Sequence, residues 1–338
     1  MKLFRLIVRR LGLGAVLIVG ITFLTFLLSH VVPGDPVASL LGERGTEEQI
    51  TRMRHELGLD KSLPVQYGKY LVALAHLDLG RSIRSRRPVS QDLAHYFPAT
   101  LELSSVALGM ALLVGVPLGL AAALNHDRAI DHACRLFALT GVSMPVFWLG
   151  LLLLILLYSQ LNILPPGGRI SDFVEPPPTI TGLLTIDSIL SGNWEALGSA
   201  LWHLLLPAAC LGYGTAATLA RMVRSQMLEV LSQDFVRTGF ALGLPRHQIL
   251  YRYALKNALL PVVTVLGLAY GGLLSGAVLT ETIFSWPGLV KYAVGAVVNL
   301  DFPALMGVTL VIATIYSVIN LLVDLAYMGL DPRLSVSE

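Results

Sequence analysis

The chain has 338 residues, 54% of them apolar and 14% charged, with 24 Lys and Arg against 22 Asp and Glu. An ordinary soluble domain carries about 25% charged residues. The low density excludes an ordinary soluble enzyme, a disordered chain and a nucleic-acid binder with a broad basic face.

Six apolar runs read as membrane spans: 11–31, 101–124, 136–161, 201–220, 258–280 and 303–327. Only Glu102 and Asp324 are charged within them, both near span ends. Surface helices would show a polar stripe every three or four residues. At about 1.5 Å per residue each run can cross a hydrocarbon layer of about 30 Å. The fold class is therefore an all-α integral membrane protein with six transmembrane helices.

Lys2, Arg5, Arg9 and Arg10 precede the first span. That span is too long for a signal peptide, and Pro33-Gly34-Asp35-Pro36 follows where a small-x-small cleavage site would stand. It reads as uncleaved. Residues 1–31 form the cytoplasmic N-terminus and first span, and 32–100 an external segment. Within it, Thr46–Leu57 reads as a helix, with Thr46 as cap, Glu48 and Gln49 in the first turn and Gly58 at the end. Val65–Leu77 is a second amphipathic stretch. Arg81, Arg84, Arg86 and Arg87 then make a basic turn. It is either a solvated face or a docking surface for an acidic partner or a substrate carboxylate, since Arg presents a bidentate fork.

Residues 101–338 read as a five-helix core. Gly115 and Gly119, Gly267 and Gly271, and Gly272 and Gly276 are spaced four apart, which lets helices approach closely. Pro117, Pro145 and Pro207 permit kinks. Cys134 and Cys210 give no disulfide framework or zinc spacing and read as packing residues. Residues 162–200 form an external loop, structured or a flexible flap. Residues 221–257 form a cytoplasmic loop. In it Arg221–Ala241 has helical periodicity, Gly243 breaks the helix, Pro245 suits the first position of a new one, and Gln248–Leu255 continues it.

Orientation follows from Lys and Arg in the short flanks. Arg128 and Arg135 lie between spans two and three; Arg221, Arg224, Arg237, Arg246, Arg252 and Lys256 lie between four and five. The short loops on the other side carry Arg169 and Lys291. Both termini are expected in the cytoplasm.

Catalytic chemistry is missing from the pattern. Gly68-Lys69 is followed by Tyr70, so no P-loop forms, and His55-Glu56 lacks a second zinc-ligating histidine. Ser275 lacks the glycine two residues before it that a nucleophile elbow needs. No central pair of intramembrane acids suggests a proton relay. No catalytic or metal residue is expected, and the substrate-binding residues are left unassigned.

Arg237-Thr238-Gly239, three residues and then Gly243 stand where permeases of binding-protein-dependent ABC importers carry Glu-Ala-Ala-x-x-x-Gly. The strings TFLLSHVVPGDP (25–36), DLGRS (78–82), PATLELS (98–104), RSQMLEVL (224–231), DFVRTGFALGL (234–244), KNALLPVVTVLG (256–267), LTETIFSWPGL (279–289) and NLLVDLAYMGLDPR (320–333) run in order through most of the chain. Together they resemble the B-type permease subunit of dipeptide and oligopeptide ABC importers, in the peptide/nickel branch. Glu-Ala-Ala is replaced here by Arg237-Thr238-Gly239.

The resemblance implies a type I importer permease in a bacterial inner membrane, with no enzyme activity or cofactor of its own. ATP and Mg2+ would bind to two separate cytoplasmic ATPase subunits. A second homologous permease and an external substrate-binding protein would complete the assembly within the lipid bilayer, with no nucleic acid. The ATPase-coupling residues would be Arg237, Thr238, Gly239, Gly243, Leu244, Pro245, Arg246, His247, Gln248, Ile249 and Leu250, with Leu244, Ile249 and Leu250 as apolar knobs. Gly243 is expected at positive φ. The binding protein would meet 32–100, Arg81–Arg87 included, together with 162–200. Nickel, glutathione and longer peptides are alternative cargoes. An ion-coupled secondary transporter is the rival of another class; it predicts uptake without other subunits.

Overall fold

The computed structural model describes residues 2–31, 46, 48, 51, 52, 55 and 60–330. Regular structure among them is helical apart from one isolated antiparallel bridge, Arg81 to Pro88. The expected helix over Thr46–Leu57 lies largely outside the described residues, and Pro33–Pro36 entirely so.

Described residues up to Thr100 form one compact unit with Pro287–Ser317. Leu101–Trp286 and the described residues from Val318 onward form the other. Residues 287–317, read from the sequence as part of the five-helix core, thus pack with the N-terminal segment.

In the first unit, α1 (Lys2–Val31) is followed by α2 (Leu63–Ala75). Tyr67 of α2 packs its ring against Phe23 and Phe26 of α1 and donates to the Val19 carbonyl at 3.0 Å. The first turns of α3 (Val89–Leu124), then α12 (Leu289–Val298) and the start of α13 (Phe302–Leu330), share a core of Val89, Leu93, Leu289 and Val308.

The second unit holds the rest of α3, then α4 (Ala129–Ser143) and α5 (Val146–Leu153), which continues as a π-helical segment, Leu154–Gln160. Short α6 (Leu184–Leu190) precedes α7 (Trp194–Leu231) and α8 (Asp234–Ala241). A second π-helical segment, Gln248–Ala254, leads into α9 (Leu255–Ala258), α10 (Leu260–Gly276) and α11 (Val278–Ile283).

Among the described residues, four helical stretches are long and apolar enough to cross a membrane: Ile7–Ser29, Val89–Leu124, Trp194–Leu231 and Phe302–Leu325. Six result if each of two bent pairs counts as one span. One pair, Gln248–Ala258 with Pro261–Gly276, bends by 52°. The other, Ala129–Ser143 with Val146–Gln160, bends by 109°, so the run 136–161 is no straight rod. Met144 (ψ 125°) and Pro145 (ψ 133°) are both extended. A residue before proline is pushed out of the helical region by the ring. Pro207 lies inside α7 without ending it.

Backbone contact holds α3 to α7. A Cβ on Gly115 would lie 2.6 Å from the Ala216 carbonyl oxygen, and one on Gly212 2.6 Å from that of Ala107. Ala111, Leu219, Val223 and Val262 fill the core beside them. Gly267 abuts Val323, but among the described residues nothing lies within 4 Å of a Cβ placed on Gly272 or Gly276. Close packing is therefore realised at Gly115, Gly119 and Gly267, not at the last pair.

Candidate functional site

The cytoplasmic loop is built around one tight turn. Helix α7 stops at Leu231, and Gln233 (ψ 151°) is extended before α8 begins. The helix expected over Arg221–Ala241 is therefore two helices. At the end of α8, Leu244 N–H donates to the Gly239 carbonyl at 3.1 Å and Gly243 N–H to that of Phe240 at 3.0 Å. This pair of bonds is a Schellman cap, which needs a left-handed residue at the position of Gly243. Gly243 has φ +72°, as expected from the sequence. The Pro245 carbonyl then accepts from Gln248 (2.9 Å) and Ile249 (3.2 Å). Pro245 is thus the cap, one position earlier than expected, and helix begins at Arg246.

The faces of this loop differ from the sequence expectation. Ile249 is 1% exposed and its Cδ1 faces Gly239. Leu250 is buried in a core with Ala123, Met227, Val230, Ala254 and Ala258. Both are internal anchors, which corrects their reading as apolar knobs; Leu244 is half-buried. The apolar side chains that reach outward are Leu242, 74% exposed, with Phe235, Phe240, Tyr251 and Tyr253. Arg237, Thr238, Pro245, Arg246 and His247 are also exposed, Gly239 is buried, and Gln248 is half-buried. Arg237 makes a loose 3.7 Å pair with Asp234, both highly exposed, and such pairs hold little.

Beside α7 lies a charge cluster whose centre the sequence reading missed. Asp131 of α4 is fully buried. Arg224 of α7 grips it with Nε on Oδ1 at 2.6 Å and Nη2 on Oδ2 at 2.9 Å. Arg135 donates to Asp131 at 2.6 Å and to Asp127 at 2.8 Å, and the Asp127 N–H donates to Asp131 at 3.0 Å. In the sequence, Arg135 and Arg224 bear on orientation, and Arg224 also opens the RSQMLEVL string. Their carboxylate partner could have been sought as the acid four residues before Arg135. His126, Asp127 and Asp131 place potential ligand atoms within 4.8 Å of one another. The Asp131 oxygens are taken up by guanidinium groups, which suits an ion-pair centre and not a metal.

In the first unit, the basic turn is pinned by two buried carboxylates. Asp301 accepts from the Ser82 hydroxyl at 2.5 Å and the Arg84 N–H at 3.1 Å, and caps α13 through the Ala304 N–H. Asp92 accepts from the Ser85 hydroxyl at 2.5 Å and the Tyr292 hydroxyl at 3.0 Å. Tyr292 stacks on Tyr96 with centroids 4.8 Å apart. Arg81, Arg84, Arg86 and Arg87 are all exposed. None pairs with a carboxylate among the described residues. The turn is a fixed backbone presenting guanidinium groups.

The loop 162–200 is structured, which settles the choice left open by its sequence. Arg169 donates to Glu102 at 2.6 Å and to the Gly182 carbonyl at 3.1 Å, and lies 5.9 Å over the buried Trp286 ring. Thr185 donates to Glu102 through N–H and hydroxyl, both at 2.7 Å. Asp187 accepts from the Thr181 hydroxyl and from the N–H groups of Ile180, Thr181 and Gly182. Burial pushes the Asp187 carboxyl up, but these donors together outweigh it and hold it below the ordinary value. An open cavity of about 750 Å³ lies beside this loop, with Tyr158, Ser159, Pro166, Phe173 and His203 in its lining.

Comparison with known proteins adds the lineage. Residues 115–336 match the profile of the "Binding-protein-dependent transport system inner membrane component" family. Residues 3–104 match that of "Binding-prot-dependent transport system membrane comp, N-term". The chain is 49% identical over 329 residues to the probable D,D-dipeptide transport system permease protein DdpB of Escherichia coli K12, covering 97% of each chain. It is 44% identical over 335 residues to the dipeptide transport system permease protein DppB of the same strain, covering 98% of this chain and 99% of that one. A di/tripeptide transport system permease protein DppB of Pseudomonas aeruginosa UCBPP-PA14 is 44% identical over 329 residues, covering 97% and 98%.

Proposed function

The chain belongs to the family of binding-protein-dependent transport system inner membrane components, and on that premise we propose that it is the permease subunit of an ATP-driven importer of dipeptides or similarly short peptides. It is a multi-pass inner-membrane component of a transport system that works with a substrate-binding protein. The finer reading is that it forms half of the translocation pathway, with a second homologous permease supplying the other half. Two cytoplasmic ATPase subunits power the cycle, and each permease receives one. Both termini lie in the cytoplasm, as the Lys and Arg distribution favours.

The observation that carries this reading is the capped turn at Gly243. It presents Phe240 and Leu242 outward, while Leu250 fastens the loop to α3 and α7 from within and Ile249 packs against Gly239 of α8. A surface held by packing moves as a rigid body when gripped. ATP-driven closure of the ATPase pair displaces this loop, and α7 and α10 carry the displacement into the membrane. Outside, the rigid basic turn offers guanidinium forks to acidic groups of a loaded binding protein. Cargo follows from the relatives' names, which specify dipeptides, D,D-dipeptides and di/tripeptides. Nickel, glutathione and longer peptides are the alternative cargoes of the same architecture.

The test is reconstitution of the chain with its second permease, ATPases and binding protein in proteoliposomes. Uptake of a labelled dipeptide is expected only with ATP inside and binding protein outside. Uptake by this chain alone, driven by an ion gradient, would make it a secondary transporter instead.

A further inference from the structure

The ion-pair cluster around Asp131 lies where the coupling loop meets the membrane-spanning helices, and no role described so far uses it. Its surroundings form a continuous path. Met227, one turn after Arg224 on α7, is fully buried and packs with Val230 against Leu250 and Ala254 of the coupling loop and Ala258 just after it. Arg224 then grips Asp131 through two parallel hydrogen bonds. Farther along the same helix pair, Thr140 and Tyr213 join their hydroxyls at 2.7 Å, and Gly141 sits directly against Ala217. Helix α4 is therefore fastened to α7 at both ends, and the fastening stops at the 109° bend after Ser143.

A bidentate guanidinium–carboxylate pair fixes distance and orientation together, unlike a single ammonium contact. Asp131 has no exposed surface with which to meet a partner protein. We propose that Asp131 is a positioning residue: it latches α4 to α7, so that displacement of the coupling loop reaches the bend at Met144–Pro145 instead of dissipating between the helices. The proposal rests on the reading of the chain as an ATPase-coupled permease.

The test uses the complete importer in proteoliposomes and reads peptide imported per ATP hydrolysed. Asp131→Asn preserves shape and removes the charge. The variant complex is expected to assemble and to hydrolyse ATP at a rate within about twofold of the parent, while peptide per ATP falls about tenfold, an ordinary size for coupling between sites. Arg224→Lys, which keeps the charge and loses the fork, is expected to fall less. An unchanged ratio in Asp131→Asn overturns the proposal. So does a parallel loss of hydrolysis and import, which marks a purely structural role. If Asp131→Asn fails to assemble, Arg224→Lys decides: a lowered ratio supports the latch and an unchanged one overturns it. A parent complex that imports nothing with ATP would instead overturn the permease reading.

Discussion

The Leu244 N–H reaches back to the Gly239 carbonyl at 3.1 Å, and this bond closes the turn in which Gly243 holds φ +72°. Among the described residues nothing lies within 4 Å of where a Gly243 Cβ would stand, so a side chain there meets a backbone objection and no steric one from them. The left-handed conformation costs an L-residue about 1–2 kcal/mol. Gly243→Val is therefore expected to block uptake at normal abundance, because the turn must open. Gly243→Asn, which tolerates this region, is expected to retain most of it. Normal uptake by the valine variant, measured beside immunoblotted protein levels, would contradict the account.

Leu242 and Ile249 separate contact from packing. Leu242→Asp changes an exposed side chain and is expected to leave the fold intact while ATPase subunits no longer co-purify. Ile249→Ala empties a buried site and is expected to destabilise the chain by about 2–5 kcal/mol. Thermal unfolding in detergent, with ATPase content per folded chain, distinguishes them. Loss of ATPase by the alanine variant alone would reverse the assignment.

The basic turn yields a prediction about stimulation. Replacing Arg81, Arg84, Arg86 and Arg87 with Ala leaves the Ser82–Asp301 and Ser85–Asp92 bonds in place. Basal ATP hydrolysis should persist, and stimulation by the loaded binding protein should be lost. Stimulation in the parent should also weaken with salt, since exposed charges are screened. An all-Ala turn with full stimulation would remove it from the docking surface.

The loop 162–200 should open with acid. Asp187 is held below its ordinary value, so the folded loop binds fewer protons than the open one. Its stabilising contribution is complete above the unfolded carboxyl value of about 3.9 and is lost as pH falls through the lower folded value. Limited proteolysis with an acid-tolerant protease should find the loop protected at pH 6 and cut only once pH has fallen below the ordinary carboxyl value of about 3.9, as the folded carboxyl takes up its proton. Asp187→Asn should be cut at both. Acid-independent cleavage of the parent would contradict this.

That the chain holds several apolar helices long enough to cross a membrane, the turn at Gly243 and the basic stretch were legible in the sequence because each depends on local chemistry. The break at Met144–Pro145 was not, because Pro207 shows that a proline inside an apolar run can equally leave a helix continuous. The inward face of Ile249 and Leu250 was hidden by the π-helical segment, whose wider turn shifts side chains off the 3.6-residue phase. Asp131 pairs with an arginine 93 residues away. No local pattern carries that contact, although its short-range pair with Arg135 was available.

The most direct test of the coupling account is thiol crosslinking in the assembled importer. Cys134 and Cys210 are buried and leave the surface free of native thiols among the described residues. With Leu242→Cys, a short bifunctional thiol reagent should join the chain to an ATPase subunit carrying surface cysteines, and the yield should change when ATP binds. With Ile249→Cys no such product should form. Equal yields from the two positions, or none from Leu242→Cys in a complex that imports peptide, would contradict the claim that this loop meets the ATPase.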